Sequence, residues 1–193
     1  MYNDLKKLNL GSGEDKKEGY VNMDWNELTK PDIKHDLSEP PYPFTDGYFD
    51  MIEANHILEH LDNPFVIMKE LHRLLKPGGR LIVRVPHFSR GMTHAEHKHG
   101  FDVTFPLYFE KKTAESGFSG YFGVNYKLVK LELHWMKFFK ALEGMGYGKL
   151  TMSILRFLNI IISSLANLSP NFCSRIWCFW VGGFEEVEFI FTK

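Results

Sequence analysis

Short apolar segments alternate with turn-forming residues through the first half of the chain, and their patterns predict strands and one helix. In residues 64–75, apolar side chains recur at the spacing of an amphipathic helix. Pro77-Gly78-Gly79 should end that helix, because proline and glycine disfavour helical backbone. The strand candidates cover residues 7–10, 20–24, 32–37, 48–54 and 80–86. This alternation indicates a mostly parallel α/β sheet, whose ligands bind beyond the carboxyl ends of the strands.

The second half of the chain is less regular. Residues 127–133 and 185–191 alternate polar and apolar positions, as half-exposed strands do, and we expect them to pair at one edge of the sheet. Residues 87–100 are rich in histidine and should form a loop after the fifth strand.

A long apolar segment, residues 150–184, precedes the last strand. Its helix-like part spans about 17 residues and contains Arg156, whereas a membrane-spanning helix needs roughly 20 apolar residues, so we expect no transmembrane helix. Three interpretations stay open: a helix buried against the sheet, a homodimer interface, or a wall contacting an apolar or lipid-linked substrate. Trp177 and Trp180 add a fourth, a peripheral contact with a membrane surface.

Composition and charge narrow the class of protein. The chain has 193 residues, enough for one domain with a sizeable core. Its 23 basic and 24 acidic residues balance, so no nucleic-acid partner is expected. Cys173 and Cys178 lack the spacing of a redox motif and are interpreted as buried free thiols of a reducing compartment. The first residues lack the apolar core of a signal peptide, so we expect a cytoplasmic protein.

A glycine turn and a carboxylate at two successive strand ends are the first indication of function. Gly11-Ser12-Gly13 follows the first strand, and Asp24 ends the second. Glycines let the backbone approach a ligand closely, since they lack Cβ. A carboxylate at the next strand end is placed to accept hydrogen bonds from a ribose diol. Together they suggest an adenosine-containing cofactor.

Six segments of the first half resemble the class I S-adenosylmethionine-dependent methyltransferases, above all small bacterial and archaeal members of the type-11 group. The Leu-Lys-Pro-Gly-Gly sequence before the fifth strand is the most specific part. The segments are Leu8–Gly13, Val21–Asp24, His35–Leu37, Phe44–Ile52, His56–Leu61 and Leu74–Leu81. The resemblance implies a Rossmann-like seven-stranded α/β sheet, mostly parallel with an antiparallel last strand.

We expect a single methyltransferase domain over residues 1–193. Its cofactor-binding half would cover residues 5–90, a substrate loop residues 87–126, and an apolar helical insertion residues 150–184.

The resemblance implies S-adenosylmethionine as the cofactor and assigns residues to it. Gly11, Ser12 and Gly13 would border the methionine half of the molecule. Asp24 would hold the ribose hydroxyls, and Trp25 would lie beside the adenine.

Four further residues follow from the same resemblance. Asp36 would accept a hydrogen bond from the adenine amino group, and the backbone N–H of Leu37 would donate to the ring. Asn55 and His56, after the fourth strand, would face the methionine end and the substrate.

The chain departs from the family pattern between Gly13 and Asp24, which are only eleven positions apart. A helical crossover needs about ten residues or more, so the first helix should be shortened to an irregular loop or about one turn. Because the first predicted strand begins near the start of the sequence, we also expect no N-terminal lid helices of the kind that many members carry.

A hydroxyl acceptor benefits from a general base, and histidine titrates near neutrality without tuning. His87 follows the fifth strand and His56 the fourth, so we expect both to project into the cleft. His87 is the favoured base and His56 the second choice. The alternative is that they only bind substrate or shape the pocket.

His56, Glu59 and His60 have the spacing of a metal site on one helix face. They are similar to the Glu-x-x-Glu-His element of ubiquinone-pathway and small-RNA O-methyltransferases, which bind a divalent ion. Here His56 replaces the first glutamate, which disfavours magnesium because that ion prefers oxygen ligands. We therefore expect no metal, and a solvated polar loop for His94, His97 and His99.

The leading hypothesis is S-adenosylmethionine-dependent methyl transfer to an oxygen or nitrogen of a small-molecule or glycan-type acceptor. One alternative is a non-catalytic cofactor-binding protein, which the short first connection favours. The other is a metal-dependent hydrolase using His56, Glu59 and His60. The sequence does not identify the acceptor or the oligomeric state.

Overall fold

The computed structural model describes residues 5–110 and 122–193, in which seven strands form one sheet. The strands are β1 (Lys7–Leu10), β2 (Val21–Asp24), β3 (Ile33–Lys34), β4 (Phe49–Asn55), β5 (Leu75–Pro86), β6 (Lys127–His134) and β7 (Glu186–Thr192). Their order is β3-β2-β1-β4-β5-β7-β6. β7 runs antiparallel to β5 and β6, and the other pairs are parallel. The predicted sheet, with its two C-terminal strands paired at one edge, is confirmed.

The helices lie mainly in the second half of the chain. They are α1 (Pro64–Leu74), α2 (Phe88–Gly91), α3 (Phe139–Gly144), α4 (Lys149–Leu168) and α5 (Pro170–Arg175). α1 matches the predicted helix, and the Asn63 side chain caps it by accepting a hydrogen bond from the Val66 N–H. β5 starts at Leu75 rather than at residue 80, and its pairing with β4 is irregular where Pro77–Gly79 intervene. α2 occupies the start of the segment expected to be a loop.

No α-helix connects β1 to β2, β2 to β3 or β3 to β4, and all three connections lie within the described residues. Residues 11–20 form turns that two buried asparagines hold. Asn9 Nδ2 donates to the Asp15 carbonyl at 2.8 Å and to Asn22 Oδ1 at 3.1 Å. The Lys17 N–H donates to the same Asn22 oxygen at 2.8 Å. The predicted shortening is confirmed, since side-chain amides here replace the crossover helix.

The two faces of the sheet differ because successive residues point to opposite sides. One face is apolar and buried, and its residues include Leu8, Leu10, Ile52, Ala54, Leu81, Val83, Phe189 and Phe191. The other carries a chain of charges. Lys17 Nζ lies 2.8 Å from Glu53 Oε2, and Arg84 Nη1 lies 3.1 Å from the same oxygen. Arg84 Nε lies 2.5 Å from Glu188 Oε2, so the chain of charges reaches β7.

The apolar insertion forms α4 at the sheet edge beside β6. α4 has 20 residues and is long and apolar enough, by length and composition, to cross a membrane, so the helix is longer than the sequence pattern indicated. Only 11% of its most apolar stretch is buried, and the buried-helix interpretation is therefore wrong. Cys173 and Cys178 are both free and buried, as expected.

The charge chain predicts an acid-sensitive contribution to stability. Burial raises the pKa of Glu53, but hydrogen bonds from Lys17 and Tyr20 outweigh it and lower the pKa from 4.5 to about 2. Stability from this carboxylate is therefore complete above pH 4.5 and is lost as pH falls towards 2. We expect a loss of about 2 kcal/mol, allowing for solvent screening, in urea denaturation between about pH 7 and about pH 3.

Glu53→Gln should remove most of that pH dependence. The matched control is Glu27→Gln, because Glu27 is an exposed carboxylate paired with Lys34. A pH dependence unchanged in Glu53→Gln would contradict the assignment.

Candidate active site

The glycine turn is fastened to the end of β2. The N–H groups of Gly11 and Ser12 both donate to the Met23 carbonyl, at 2.9 and 3.2 Å. Gly11 has φ +66°, and a Cβ there would lie 2.7 Å from Cγ1 of Ile57, so only glycine fits. The close approach of Ile57 sets the turn directly beside residues 56–61.

Asp24 holds the other side of the turn. Its Oδ2 accepts from the Gly13 N–H and its Oδ1 from the Asn26 N–H, both at 2.8 Å. Each carboxylate oxygen keeps a second lone pair, so a ribose hydroxyl could still donate to it. The Ser12 hydroxyl is buried and has no hydrogen-bond partner among the described residues. Buried polar groups are normally partnered, so this orphan hydroxyl fits a polar ligand at the turn.

A cavity of about 230 Å³ opens beside this turn. Trp25, Asp36 and Leu37 line it together, although they come from the ends of β2 and β3, and His60 closes its far side. Asp36 is exposed and accepts from the Ser38 N–H at 2.9 Å. The structure thus brings together the three residues predicted to surround an adenine.

A larger cavity of 670 Å³ lies on the other side of residues 56–61. Residues after β4, residues after β5 and Glu185 before β7 line it, so it lies at the carboxyl ends of the central parallel strands. Its lining includes His56, Glu59, His60, His94, His97 and Phe138. His60 lines both cavities, so the two adjoin at this residue.

His56 lies between two buried carboxylates. Its Nε2 is 2.8 Å from Glu186 Oε2, and its Nδ1 is 3.4 Å from Glu59 Oε1. Burial lowers the pKa of His56, but the carboxylates of Glu186 and Glu59 outweigh it and raise the pKa to about 9. The ring is therefore positively charged at neutral pH. Its backbone has φ +49°, a rare conformation outside glycine that is typical of functional sites.

Glu59 is fully buried, and neither of its carboxylate oxygens accepts a hydrogen bond from a described residue. Glu59, His60 and His97 each place one ligand atom within 4.8 Å of the others. Two imidazoles and a carboxylate are ligands that a divalent transition metal accepts, so these three residues could hold one. His97 Nδ1 lies 2.7 Å from the Gly91 carbonyl, which places its ring against the cavity wall.

His87 does not project into the cleft, and that expectation is wrong. The ring is 0% exposed, with Nδ1 2.7 Å from Ser89 Oγ and Nε2 2.8 Å from Ser174 Oγ. Its Nδ1 also accepts from the Ser89 N–H and so caps α2. α5 brings Ser174 across the ring, and no local sequence signal reveals that contact. Of the two histidines expected in the cleft, only His56 lines the cavity.

Two further differences concern residues on either side of the cavity. Asn55 lies on the charged face of the sheet, where its Oδ1 accepts from Arg84 Nη1 at 2.8 Å, and it lines neither cavity. Glu186 was missed by the sequence reasoning, because it lies 130 positions from His56. Its only signal was the run of glutamates at the start of the last strand.

The family model described as Methyltransferase domain matches residues 12–83, from the glycine turn through most of β5. Over these residues, less than half of the chain, the sequence is similar to that methyltransferase domain. No curated protein matches the chain.

Solved structures share the fold of this chain over nearly its whole length. A SAM dependent methyltransferase from Archaeoglobus fulgidus is 19% identical with a TM-score of 0.58, covering 98% of this chain and 86% of that one. A putative sarcosine dimethylglycine methyltransferase from Galdieria sulphuraria is 14% identical with a TM-score of 0.60, covering 98% and 78%. The [4+2]-cyclase SpnF is 15% identical with a TM-score of 0.53, covering 98% and 75%. At these identities the likeness concerns the fold, which does not select an acceptor.

The position of His87 predicts a pH dependence of stability. Burial lowers its pKa from 6.5 to about 4, so the folded protein holds the neutral ring while the unfolded chain takes up a proton. Stability is therefore complete above pH 6.5 and falls as pH drops from 6.5 to about 4, by about 3 kcal/mol. Chemical denaturation across this range should show the loss in the wild type.

His87→Gln should flatten that dependence, whereas His99→Gln, in the loop that contacts Asp62, should retain it. Loss of turnover in His87→Gln with an unchanged pH dependence of stability would sink the structural role and restore His87 as a candidate base.

Proposed function

We propose that this protein is an S-adenosylmethionine-dependent methyltransferase, which transfers a methyl group to an oxygen or nitrogen of a small-molecule or glycan-type acceptor bound in the 670 Å³ cavity. The observation that carries the proposal is the pair of adjoining cavities that share His60. The smaller one contains the residues expected around the adenosine, and the larger one contains charged groups suited to a polar acceptor.

In this proposal the cofactor lies along the carboxyl ends of β1 and β2. Gly11, Ser12 and Gly13 border its methionine half, where the orphan Ser12 hydroxyl gains a partner. Asp24 accepts from the ribose hydroxyls through the lone pairs that the backbone leaves free. Trp25 stacks near the adenine.

In the smaller cavity, Asp36 accepts a hydrogen bond from the adenine amino group and the Leu37 N–H donates one to the ring. Asn55 is given no direct contact with the cofactor, since Arg84 holds its side chain on the charged face.

The acceptor cavity suits a group that donates hydrogen bonds. Glu59 and Glu186 are buried carboxylates, with the protonated His56 between them and Lys137 Nζ 3.2 Å from Glu186 Oε1. These two positive charges balance the two carboxylates, and the Glu59 oxygens are left without a hydrogen-bond donor among the described residues. S-adenosylmethionine supplies the methyl group when bound, and the protein must orient the acceptor and remove its proton.

We assign to Glu59 the role of the general base that removes the proton from the acceptor. An acceptor hydroxyl or amine that donates to its unpartnered carboxylate would transfer the proton there as the methyl group arrives. His56 is charged and faces both carboxylates, so it acts as a positioning residue for Glu59 rather than as the base. This gives His56 a different role from the one first expected.

Asp24→Ala should weaken S-adenosylmethionine binding about 30-fold, because losing hydrogen bonds to a charged group costs about 2 kcal/mol. Calorimetric titration with S-adenosylmethionine and S-adenosylhomocysteine measures it. Asp62→Ala is the control, since Asp62 is exposed and paired with Lys98. Unchanged affinity in Asp24→Ala would remove Asp24 from the cofactor site.

Glu59→Gln should lower turnover about 100-fold or more while S-adenosylmethionine affinity stays within about twofold. Release of S-adenosylhomocysteine with a panel of hydroxyl and amine acceptors measures turnover. Glu96→Gln is the matched control, because Glu96 lines the same cavity but is exposed. Full turnover in Glu59→Gln would exclude Glu59 as the base.

The same experiments decide between the alternative functions. Cofactor binding without turnover of any acceptor would favour a non-catalytic binding protein. The hydrolase was expected to use His56, Glu59 and His60, whereas the residues that lie close enough to share a metal are Glu59, His60 and His97. Bound zinc at these three residues, with no affinity for either form of the cofactor, would favour a hydrolase.

A further inference from the structure

α4 packs with its polar side inward. Asn167 Oδ1 accepts from the Leu133 N–H at 2.8 Å, and its Nδ2 donates to the Leu133 carbonyl at 2.9 Å. The Trp135 N–H donates to Ser163 Oγ at 3.1 Å, next along the same edge. The polar side chains of the helix thus satisfy the backbone at and just beyond the end of β6, so the apolar side of the helix is turned away from the sheet.

The outward side of α4 is a nearly continuous apolar stripe. Its exposed residues recur at helical spacing and run the length of the helix, up to Leu168, which is 81% exposed. They are Leu150, Ile154, Phe157, Ile161, Leu165 and Leu168. In water such a stripe is the reverse of the usual arrangement, in which the apolar side of a surface helix meets the core.

The stripe continues into α5 and the turn after it. Phe172, Ile176 and Phe179 are each more than half exposed, and Trp180 is 83% exposed. α4 and α5 are in contact, so these residues extend one surface. We call the two sets together the apolar face.

Charge indicates what covers the apolar face. Residues 145–184 contain no aspartate or glutamate, although the chain has 24 of them. The segment does contain three basic residues, Lys149, Arg156 and Arg175. Arg156 pairs with Glu143, which lies just outside the segment. Arg175 pairs with Asp102, which also lies outside the segment, at 3.3 Å, and both arginine side chains stay more than half exposed. The segment itself therefore offers an occupant apolar groups and basic groups without a carboxylate of its own, and an anionic, partly apolar surface complements it.

We propose that the apolar face docks on a lipid bilayer with anionic headgroups, with α4 lying in the plane of the interface. Helices of this kind bind by burying their apolar side at the headgroup boundary while basic residues meet lipid phosphates. Exposed tryptophan, as at Trp180, is typical of that boundary.

Two other arrangements fit less well. A second copy would present the same segment, which has three basic residues and no carboxylate of its own, so it offers less charge complementarity than an anionic bilayer. A spanning helix would break the bonds from Ser163 and Asn167 to β6 and place those polar side chains in hydrocarbon.

The inference does not depend on the proposed function, but it bears on the acceptor cavity. Phe138, just before α3, lines that cavity with its ring 5.3 Å from the His56 ring. α3 leads directly to α4. The segment that would rest on the bilayer is therefore connected, over about ten residues, to the wall of the acceptor cavity.

The test is flotation of the full chain with vesicles of phosphatidylcholine containing about 30% phosphatidylglycerol, compared with phosphatidylcholine alone. We expect binding to the anionic vesicles, weakened by salt and accompanied by a blue shift of tryptophan fluorescence. Ile154→Ser combined with Ile161→Ser should weaken binding about tenfold or more, since both side chains leave the apolar face. Leu28→Ser is the matched control, because Leu28 is 89% exposed and lies outside the face.

Trp180→Ser is the second variant, outside α4, and should weaken binding severalfold without affecting the helix. Circular dichroism of every variant in the absence of vesicles checks that the fold is kept. No vesicle binding by a folded monomer overturns the proposal, as does a dimer that the double substitution dissociates. Binding that resists both high salt and alkaline carbonate would indicate a spanning helix and also overturns it.

Discussion

A parallel sheet normally needs helices on both faces, because its connections cross over one side or the other. In this protein the connections between the first four strands carry no α-helix, and one face of the sheet is built from charged and polar groups instead. Glu53 on β4 pairs with Lys17 and Arg84, and Arg84 on β5 also pairs with Glu188 on the neighbouring strand β7. In the connection between β1 and β2, Asn22 accepts hydrogen bonds from Asn9 and Lys17 and so fixes the segment that follows the glycine turn. The proposed cofactor site therefore also depends on this helix-free connection.

Features carried by contiguous residues could be predicted from the sequence, and those made by distant ones could not. The glycine turn, Asp24 and the pair Asp36 and Leu37 follow from local patterns at strand ends, so their grouping was foreseeable. His87 has the same local pattern, but Ser174 closes over it from 87 positions away. The partner of His56 is likewise remote along the chain. Cytoplasmic location and the division into functional segments stay predictions, because they leave no mark on packing.

α4 shows a second limit of sequence patterns. Periodicity indicates that a helix has an apolar side but does not say which way that side faces. The usual assumption turns it towards the core, which is how the buried-helix interpretation arose. An open sheet edge presents unpaired N–H and carbonyl groups. Here the side chains of Asn167 and Ser163 form hydrogen bonds with them, as the backbone of a neighbouring strand would. The hydrogen bonds to the open edge orient the polar side of α4 towards the sheet, and its apolar side therefore faces outward.

His60 forms a wall of both cavities, and a shared wall couples their occupants. If the adenosine fixes the His60 ring in one rotamer, the acceptor meets a surface already ordered, and the entropy of ordering is lost only once. Thermodynamic reciprocity then requires the acceptor to tighten the cofactor by the same factor. Under the proposed function, a single side chain between two ligands would thus make donor and acceptor heterotropic effectors of each other.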